Sequence, residues 1–169
     1  MNVLVGISGL ELKEEEMVKL DLHVFPPSSA LKDDWKGMIR DIKKHRESLE
    51  KKAMDLHREK DNYIRPMALL QVESTGKDQR GKGTAHADDV RQYLIELRVP
   101  ADQIAIKTSA QNDIEDVDLF SQQCAVRYLI TKEALREGWD CSFAYILGII
   151  PNANSNTGVT QLIGRILRQ

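Results

Sequence analysis

The feature that most constrains this chain is the order in which its apolar runs alternate with amphipathic ones after Pro66. "MALLQVEST" is a continuous apolar run ending in polar residues, followed by a Gly-rich loop and then "HADDVRQYLIELR", whose Val90, Tyr93, Leu94 and Leu97 recur at helical spacing. "QIAIKTS" and "AVRYLIT" read as short strands, "KEALRE" as a short helix closed by Gly138, and "FAYILGII" as a third apolar run. An apolar run of four to eight residues can be buried on both faces only inside a sheet that has helices against it, which is how parallel strands are covered. Strands alternating with helices therefore predict an α/β domain with a parallel sheet. In such a sheet, the polar residues just past the strand ends line the ligand crevice. Here those are Ser74 and Thr75, Thr108 and Ser109, and Thr131 and Lys132.

The residues before this region have a different texture. Between Asn2 and Phe25, Val3, Val5 and Ile7 keep a period of two, as do Val18, Leu20, Leu22 and Val24. That pattern predicts two half-buried strands joined around "KEEE", a β-hairpin ended by "PPSS". The segment "DDWKGMIRDIKKHRESLEKKAMDLHREKD" carries Trp35, Met38, Ile39, Ile42, Leu49, Ala53 and Leu56 at helical spacing, with Asp33 and Asp34 placed to start a helix. Its bases are interleaved with acids, the pattern of a solvated helix face. The expected division is thus 1–61, two strands and a connecting helix, and 62–169, the α/β domain.

Charge and cysteine usage exclude several classes. The net charge is −2, so any nucleic-acid contact must come from local groups rather than a global basic field. Cys124 and Cys141 have no CxxC or Cys/His spacing, and His23, His45, His57 and His86 are scattered. Neither a disulfide framework nor a metal site is expected, and the four histidines read as ordinary surface or helix residues. The longest apolar run is too short to cross a bilayer, and the start of the chain turns acidic early, so a cytoplasmic protein with no membrane partner is expected.

The loop "GKDQRGKGT" comes close to a phosphate-binding loop. Gly76, Gly81 and Lys82 have the required spacing, but Gly83 stands where a Ser or Thr must hold magnesium, and Thr84 falls one position late. It reads as a charged surface loop. A stand-alone phosphate-binding module built on Gly76 to Thr84 remains as an alternative.

The chain closes on "TGVTQLIGRILRQ". On a helical wheel, Leu162, Ile163, Ile166 and Leu167 fall within about 140° of each other, while Gln161, Arg165 and Arg168 gather within about 60° on the opposite side. Taken alone this is an amphipathic helix with a basic face. Together with "YLITKEALREGWDCSFAYIL", however, "TQLIGRILRQ" resembles motifs V and VI of superfamily-two helicases, in particular the restriction subunit of type III restriction enzymes. "YIRPMALLQVEST" and "IAIKTSA" are similar to the second RecA-like domain of that family, over roughly residues 62 to 169. "DDWKGMIRDI" is similar to the segment preceding it.

The resemblance implies a RecA-like (P-loop NTPase-type) fold and a role as one half of an ATP-dependent DNA helicase or translocase. ATP with Mg2+ would be held mainly by a first RecA-like domain. Carried over by position, Arg165 and Arg168 would face the γ-phosphate, with Gln161 assisting. Asp140, after Gly138 and Trp139, would approach the ribose, and Gly138 would also suit a helix C-cap. Thr131 would contact a phosphate of bound DNA with Lys132 beside it, and Ser74, Thr75, Thr108 and Ser109 would meet the DNA backbone or cap strand ends. Relatives commonly carry an arginine before that glycine, where this chain has Glu137, which argues against an RNA-helicase subtype. A methyltransferase subunit is a further implied partner. With no credible P-loop and no DEAD- or DEAH-type motif, the isolated chain is expected to be nearly inactive as an ATPase. A repair or remodelling helicase of the same superfamily is the nearest rival, and an interaction domain built on the long charged helix is a rival of another class.

Overall fold

A computed structural model describes His23 and residues 34–72, 85–132 and 144–150. The two expected N-terminal strands, the "KEALRE" helix, the Gly76–Thr84 loop and the closing helix lie outside the described residues. Helix α1 spans Trp35–Lys60, and strand β1 spans Met67–Gln71. Helix α2 spans Ala87–Glu96, a short 3-10 turn covers Ala101–Gln103, and β2 spans Ile104–Lys107. Strands β3, Tyr128–Thr131, and β4, Ala144–Ile149, complete one four-stranded sheet in the order β2-β3-β1-β4. Every pairing is parallel. The expected α/β class with a parallel sheet is what the structure shows.

Side-chain alternation divides the core into two layers. Ala68, Leu70, Val72, Ile104, Ile106, Tyr128 and Ile130 face α1 and α2, meeting Ile39, Ile42, Val90 and Leu94. Met67, Leu69, Ala105, Leu129 and Ala144 face the other way. No helix covers that second face among the described residues. The connection from β2 to β3 folds back over it, setting Ile114, Leu119 and Val126 against the sheet.

Each helix begins and ends for a local reason. The Asp34 carboxylate accepts from the Gly37 N–H at 2.8 Å, satisfying one of the amides that a helix start leaves open. A Cβ at position 37 would lie 2.4 Å from that carboxylate, so a larger residue there would displace the cap. At the far end Asp61 adopts a left-handed conformation (φ 51°), and its N–H returns to the His57 carbonyl at 2.9 Å. Helix α2 stops at Glu96, before the Leu97 and Arg98 that the periodicity included. Arg98 turns left-handed (φ 65°) and the Val99 N–H bonds the Leu94 carbonyl, which closes the helix two residues before its pattern runs out.

Helix α1 lies close against the sheet through Gly148 of β4. A Cβ at that position would meet Ile42 Cδ1 at 2.4 Å and Leu70 Cδ2 at 2.9 Å, both well inside van der Waals contact. The helix expected to precede the α/β domain therefore shares its core.

Two arginines depart from the solvated character expected of the charged segments. Arg46 is buried at 4% exposure on the inner side of α1. It donates from Nε to the Tyr128 hydroxyl at 2.9 Å and pairs with Glu50 at 2.6 Å, its guanidinium carbon 5.2 Å from the centre of the Tyr128 ring. Glu50 also receives Arg127 Nε at 2.9 Å, and Arg127 reaches the carbonyls of Cys124, Ala125 and Val126 as well. Arg65, 1% exposed, donates to the carbonyls of Ser121 at 2.6 Å and Cys124 at 3.0 Å, and to that of Leu119. A rigid five-donor fork suits this task, since one side chain here gathers three carbonyls of an irregular segment. His86, read as an ordinary residue, is buried at the start of α2, where its N–H donates to the Asp89 carboxylate at 3.0 Å.

Candidate functional site at the carboxyl edge of the sheet

Because all four strands run the same way, their carboxyl ends meet along one edge. Register aligns Lys107 with Thr131, Thr131 with Gln71, and Gln71 with Ile149. At about 4.8 Å between strands, Lys107, Thr131 and Gln71 form a polar row across three neighbours. Ala105, Leu129 and Leu69 belong to the second layer, so the alternation of the strands places that row on the same face. One step further along are Thr108 and Lys132, beside the buried apolar pair Val72 and Ile150. The edge is tied together by main-chain bonds. Val72 N–H donates to the Thr131 carbonyl at 2.8 Å, and Ile150 N–H donates to the Gln71 carbonyl at 2.9 Å.

The residues expected at strand ends do different things. Thr131, 2% exposed, is sealed from solvent. Thr108 organises a turn. Its hydroxyl accepts from the Gln111 N–H at 3.1 Å and the Ala110 N–H at 3.3 Å, while its own N–H donates to the Gln111 carbonyl at 2.7 Å. That turn lets the chain double back against β2, where the Asp113 carboxylate accepts from the Ile106 N–H at 2.9 Å and so occupies a donor of an edge strand. Ser109 is exposed and Lys132 half-buried. The structure thus gathers Thr108, Ser109, Thr131 and Lys132 at one edge of β2 and β3. Ser74, Thr75, Gly138, Asp140, Gln161, Arg165 and Arg168 lie outside the described residues.

Two residues of this edge were missed by the sequence reading, Lys107 and Gln71. Both are half-buried and occupy the last position of their strands. The signal was available, since each is the first polar residue to interrupt an apolar run. Chemically, the edge offers two lysines and neutral hydrogen-bonding groups on neighbouring strand ends. Such a set can hold an anion but has no acid–base pair for bond cleavage. Among the described residues, no three His, Cys, Asp or Glu side chains gather where a metal ion could be held, and no helix is long and apolar enough to cross a membrane.

At the opposite edge, where the strands begin, the Arg46–Glu50–Arg127–Tyr128 network has the strongest electrostatics. Burial alone would raise the Glu50 carboxyl, but hydrogen bonds from Arg46 and Arg127 outweigh it and hold the group below the ordinary carboxylate range. Burial likewise works against the Arg46 charge, and Glu50 and Tyr128 more than compensate. Burial lifts the Tyr128 phenol above its usual value, so it stays protonated beside them. Two guanidinium groups share the one Glu50 carboxylate, with the Tyr128 hydroxyl and the carbonyls of Cys124, Ala125 and Val126 accepting further bonds, the arrangement of a structural clamp between α1 and the start of β3. Compared with known proteins, the chain matches no family model, no curated protein and no solved structure.

Proposed function

We propose that this chain is the second, RecA-like motor domain of an ATP-dependent DNA helicase or translocase, of the kind found in the restriction subunit of type III restriction enzymes. The observation that carries the reading is the parallel edge at which Thr108, Ser109, Thr131 and Lys132 leave adjacent strands. Open α/β sheets bind their ligands at that edge. The other support is the resemblance of "YLITKEALREGWDCSFAYIL" and "TQLIGRILRQ" to motifs V and VI, in that order along the chain.

In this reading Lys132 and the exposed Ser109 meet the phosphates of DNA, with Lys107 adding a second charge. Gln161, Arg165 and Arg168 reach across to a nucleotide seated on a first RecA-like domain. Guanidinium groups keep their charge at any working pH and present a planar fork to phosphate oxygens. Supplied across an interface, an arginine stabilises the charge that builds on the transferring phosphoryl group, an effect worth on the order of 10³ to 10⁵ in rate. Mg2+ would neutralise the triphosphate, held with the nucleotide mainly by the first RecA-like domain, as the resemblance implies. A methyltransferase subunit would be the partner that confines cleavage to unmodified DNA.

The test is DNA-stimulated ATP hydrolysis by the full-length protein, wild type against Arg168→Ala. Turnover should collapse by at least 10³-fold while ATP is still bound. Unchanged turnover would return the closing segment to an ordinary amphipathic helix and remove the reading.

A further inference from the structure

Helix α1 carries a charge asymmetry that neither its packing nor the motor reading explains. Setting Trp35 at 0° and advancing about 100° per residue, the buried Ile39, Ile42, Arg46 and Ala53 centre near about 10°. Lys36, Arg40, Lys43, Lys51 and Arg58 then fall within a sector about 80° wide, between about 80° and 160°. Glu47 is the only acid in that sector and Met54 the only apolar residue. The sector between about 200° and 260° has the reverse balance, with Asp41, Asp55 and Glu59 against Lys52. Interleaved along the sequence, the charges are therefore sorted around the helix.

The basic stripe is open to solvent. Lys36, Arg40, Lys51, Met54 and Arg58 are all exposed, with the side chain of Arg58 at 71% and that of Arg40 at 54%. At its amino end the stripe is held in place by aromatic rings. Trp35 and Tyr93 meet edge to face at 5.5 Å, the Lys36 ammonium sits 4.9 Å from the Tyr93 ring centre, and Arg40 donates to the Tyr93 hydroxyl at 2.7 Å. Two long, mobile side chains are thereby partly ordered before any ligand arrives, which reduces the entropy lost on binding. Three acids touch the stripe, each in a pair at or near the surface. Asp34 stands 3.9 Å from Arg40, and Asp55 stands 3.4 Å from Arg58; Glu47 pairs with Lys43 within one exposed helix turn. Exposed pairs of this kind are worth about 0 to 1 kcal/mol and exchange readily for a denser anion.

We propose that the α1 stripe formed by the exposed Lys36, Arg40, Lys51 and Arg58 with the half-buried Lys43 is a docking surface for the phosphate backbone of duplex DNA. From Lys36 to Arg58 the stripe is straight and about 33 Å long at 1.5 Å per residue. A compact anion would engage one or two of these cations. A stiff polyanion, whose helical turn is about 34 Å, can engage them all. One apolar residue, Met54, is too little for insertion into a lipid surface. The contacts are to phosphates only, so the surface positions DNA without reading its sequence. The proposal does not depend on the motor reading, since it concerns side chains on a face of α1 and none of the strand-end residues.

The experiment measures binding of the full chain to a labelled 20-base-pair duplex by fluorescence anisotropy across a salt series. The stripe variant Lys51→Gln with Arg58→Gln is compared with Lys52→Gln with Lys60→Gln, which removes the same charge from other faces of the same half of the helix. Each lost phosphate contact lowers the slope of log K against log salt by about 0.9. The stripe pair should therefore lower it by about 1.8, and the control pair should leave it unchanged. Glu47→Gln, which removes the one acid from the stripe, should tighten binding. All of these positions are exposed, so thermal midpoints should agree closely with wild type. Equal losses in both pairs would reduce the effect to net charge and overturn the proposal. So would absence of duplex binding, or stripe-dependent binding to anionic vesicles or an acidic peptide without binding to DNA.

Discussion

Substituting Gly148 by alanine tests how α1 is seated on the sheet. The added methyl would stand 2.4 Å from Ile42 Cδ1 and 2.9 Å from Leu70 Cδ2, where carbon atoms normally rest at about 3.5 to 4.0 Å. Ile42 is 7% exposed and Leu70 fully buried, so the clash is relieved only by an unfavourable rotamer or by α1 lifting about 1 Å off β4. Overpacking of this type costs about 1 to 3 kcal/mol. Replacing glycine within a strand returns about 0.5 to 1 kcal/mol through the unfolded chain. Taking the middle of each range, the net expectation is a loss of about 1.2 kcal/mol, a fall of about 2 to 5 °C in midpoint at this chain length. Urea unfolding of wild type, Gly148→Ala, Ile42→Val and the double variant makes the test specific. Ile42→Val alone removes the offending Cδ1 and costs about 0.5 to 1.5 kcal/mol. In the double variant the methyl introduced at 148 takes up the space vacated at 42, so the two losses should fall short of additive by about 1 kcal/mol or more. A neutral Gly148→Ala, or a strictly additive cycle, would refute the close seating of α1 on β4.

Two further outcomes follow from the buried charges. Glu50 is held below its unfolded value, so its contribution is fully present at neutral pH and is lost as pH falls through the lowered folded value. Glu50→Gln should therefore cost about 1 to 3 kcal/mol near pH 7 and progressively less below about pH 4, read from urea midpoints across pH; a cost independent of pH would refute the clamp. Arg65→Ala should destabilise by about 3 kcal/mol or more, because one buried and two part-buried carbonyls lose their donor at once. It should also expose the β2–β3 connection to limited proteolysis, and Arg65→Lys should rescue little, since a point charge cannot span the three acceptors.

Periodicity carried most of the fold. The apolar spacing through Ile39, Ile42 and Ala53 marks α1, and the runs at 67–71, 104–107, 128–131 and 144–149 match the four strands. Local chemistry shifted some boundaries. Helix α2 ends early because Arg98 accepts a left-handed conformation that sequence patterns assign to glycine or asparagine. The buried ions were harder to foresee. Arg46 lies between Ile39 and Ala53 on the helical wheel, so its burial was legible, but nothing in the segment pointed to Tyr128, 82 residues away, as its partner. Arg65 has no periodic neighbour to reveal it, and its acceptors are main-chain carbonyls, which are the same in every sequence. At the candidate edge, the strand ends were legible while the tasks of their side chains were not. The Thr108 hydroxyl is committed to its own turn, a detail set by the path of the following residues.

The order β2-β3-β1-β4 also has a consequence in time. Among the described strands β1 is the first to leave the ribosome, and both its neighbours are made later: β3 begins at Tyr128 and β4 ends at Ile149. At about 5 to 20 residues per second, the stretch from Gln71 to Ile149 takes roughly 4 to 16 s to synthesise. Until Thr131 of β3 is made, "MALLQ" is an apolar segment with neither of its hydrogen-bonding edges covered, and one edge stays open until β4 is complete, the condition in which chains associate wrongly. Helix α1, complete before β1 appears and able to offer Ile39 and Ile42 to Leu70, is the only earlier element among the described residues that can shelter it. The long charged helix is thus also the nascent chain's first cover for the strand at the centre of the sheet.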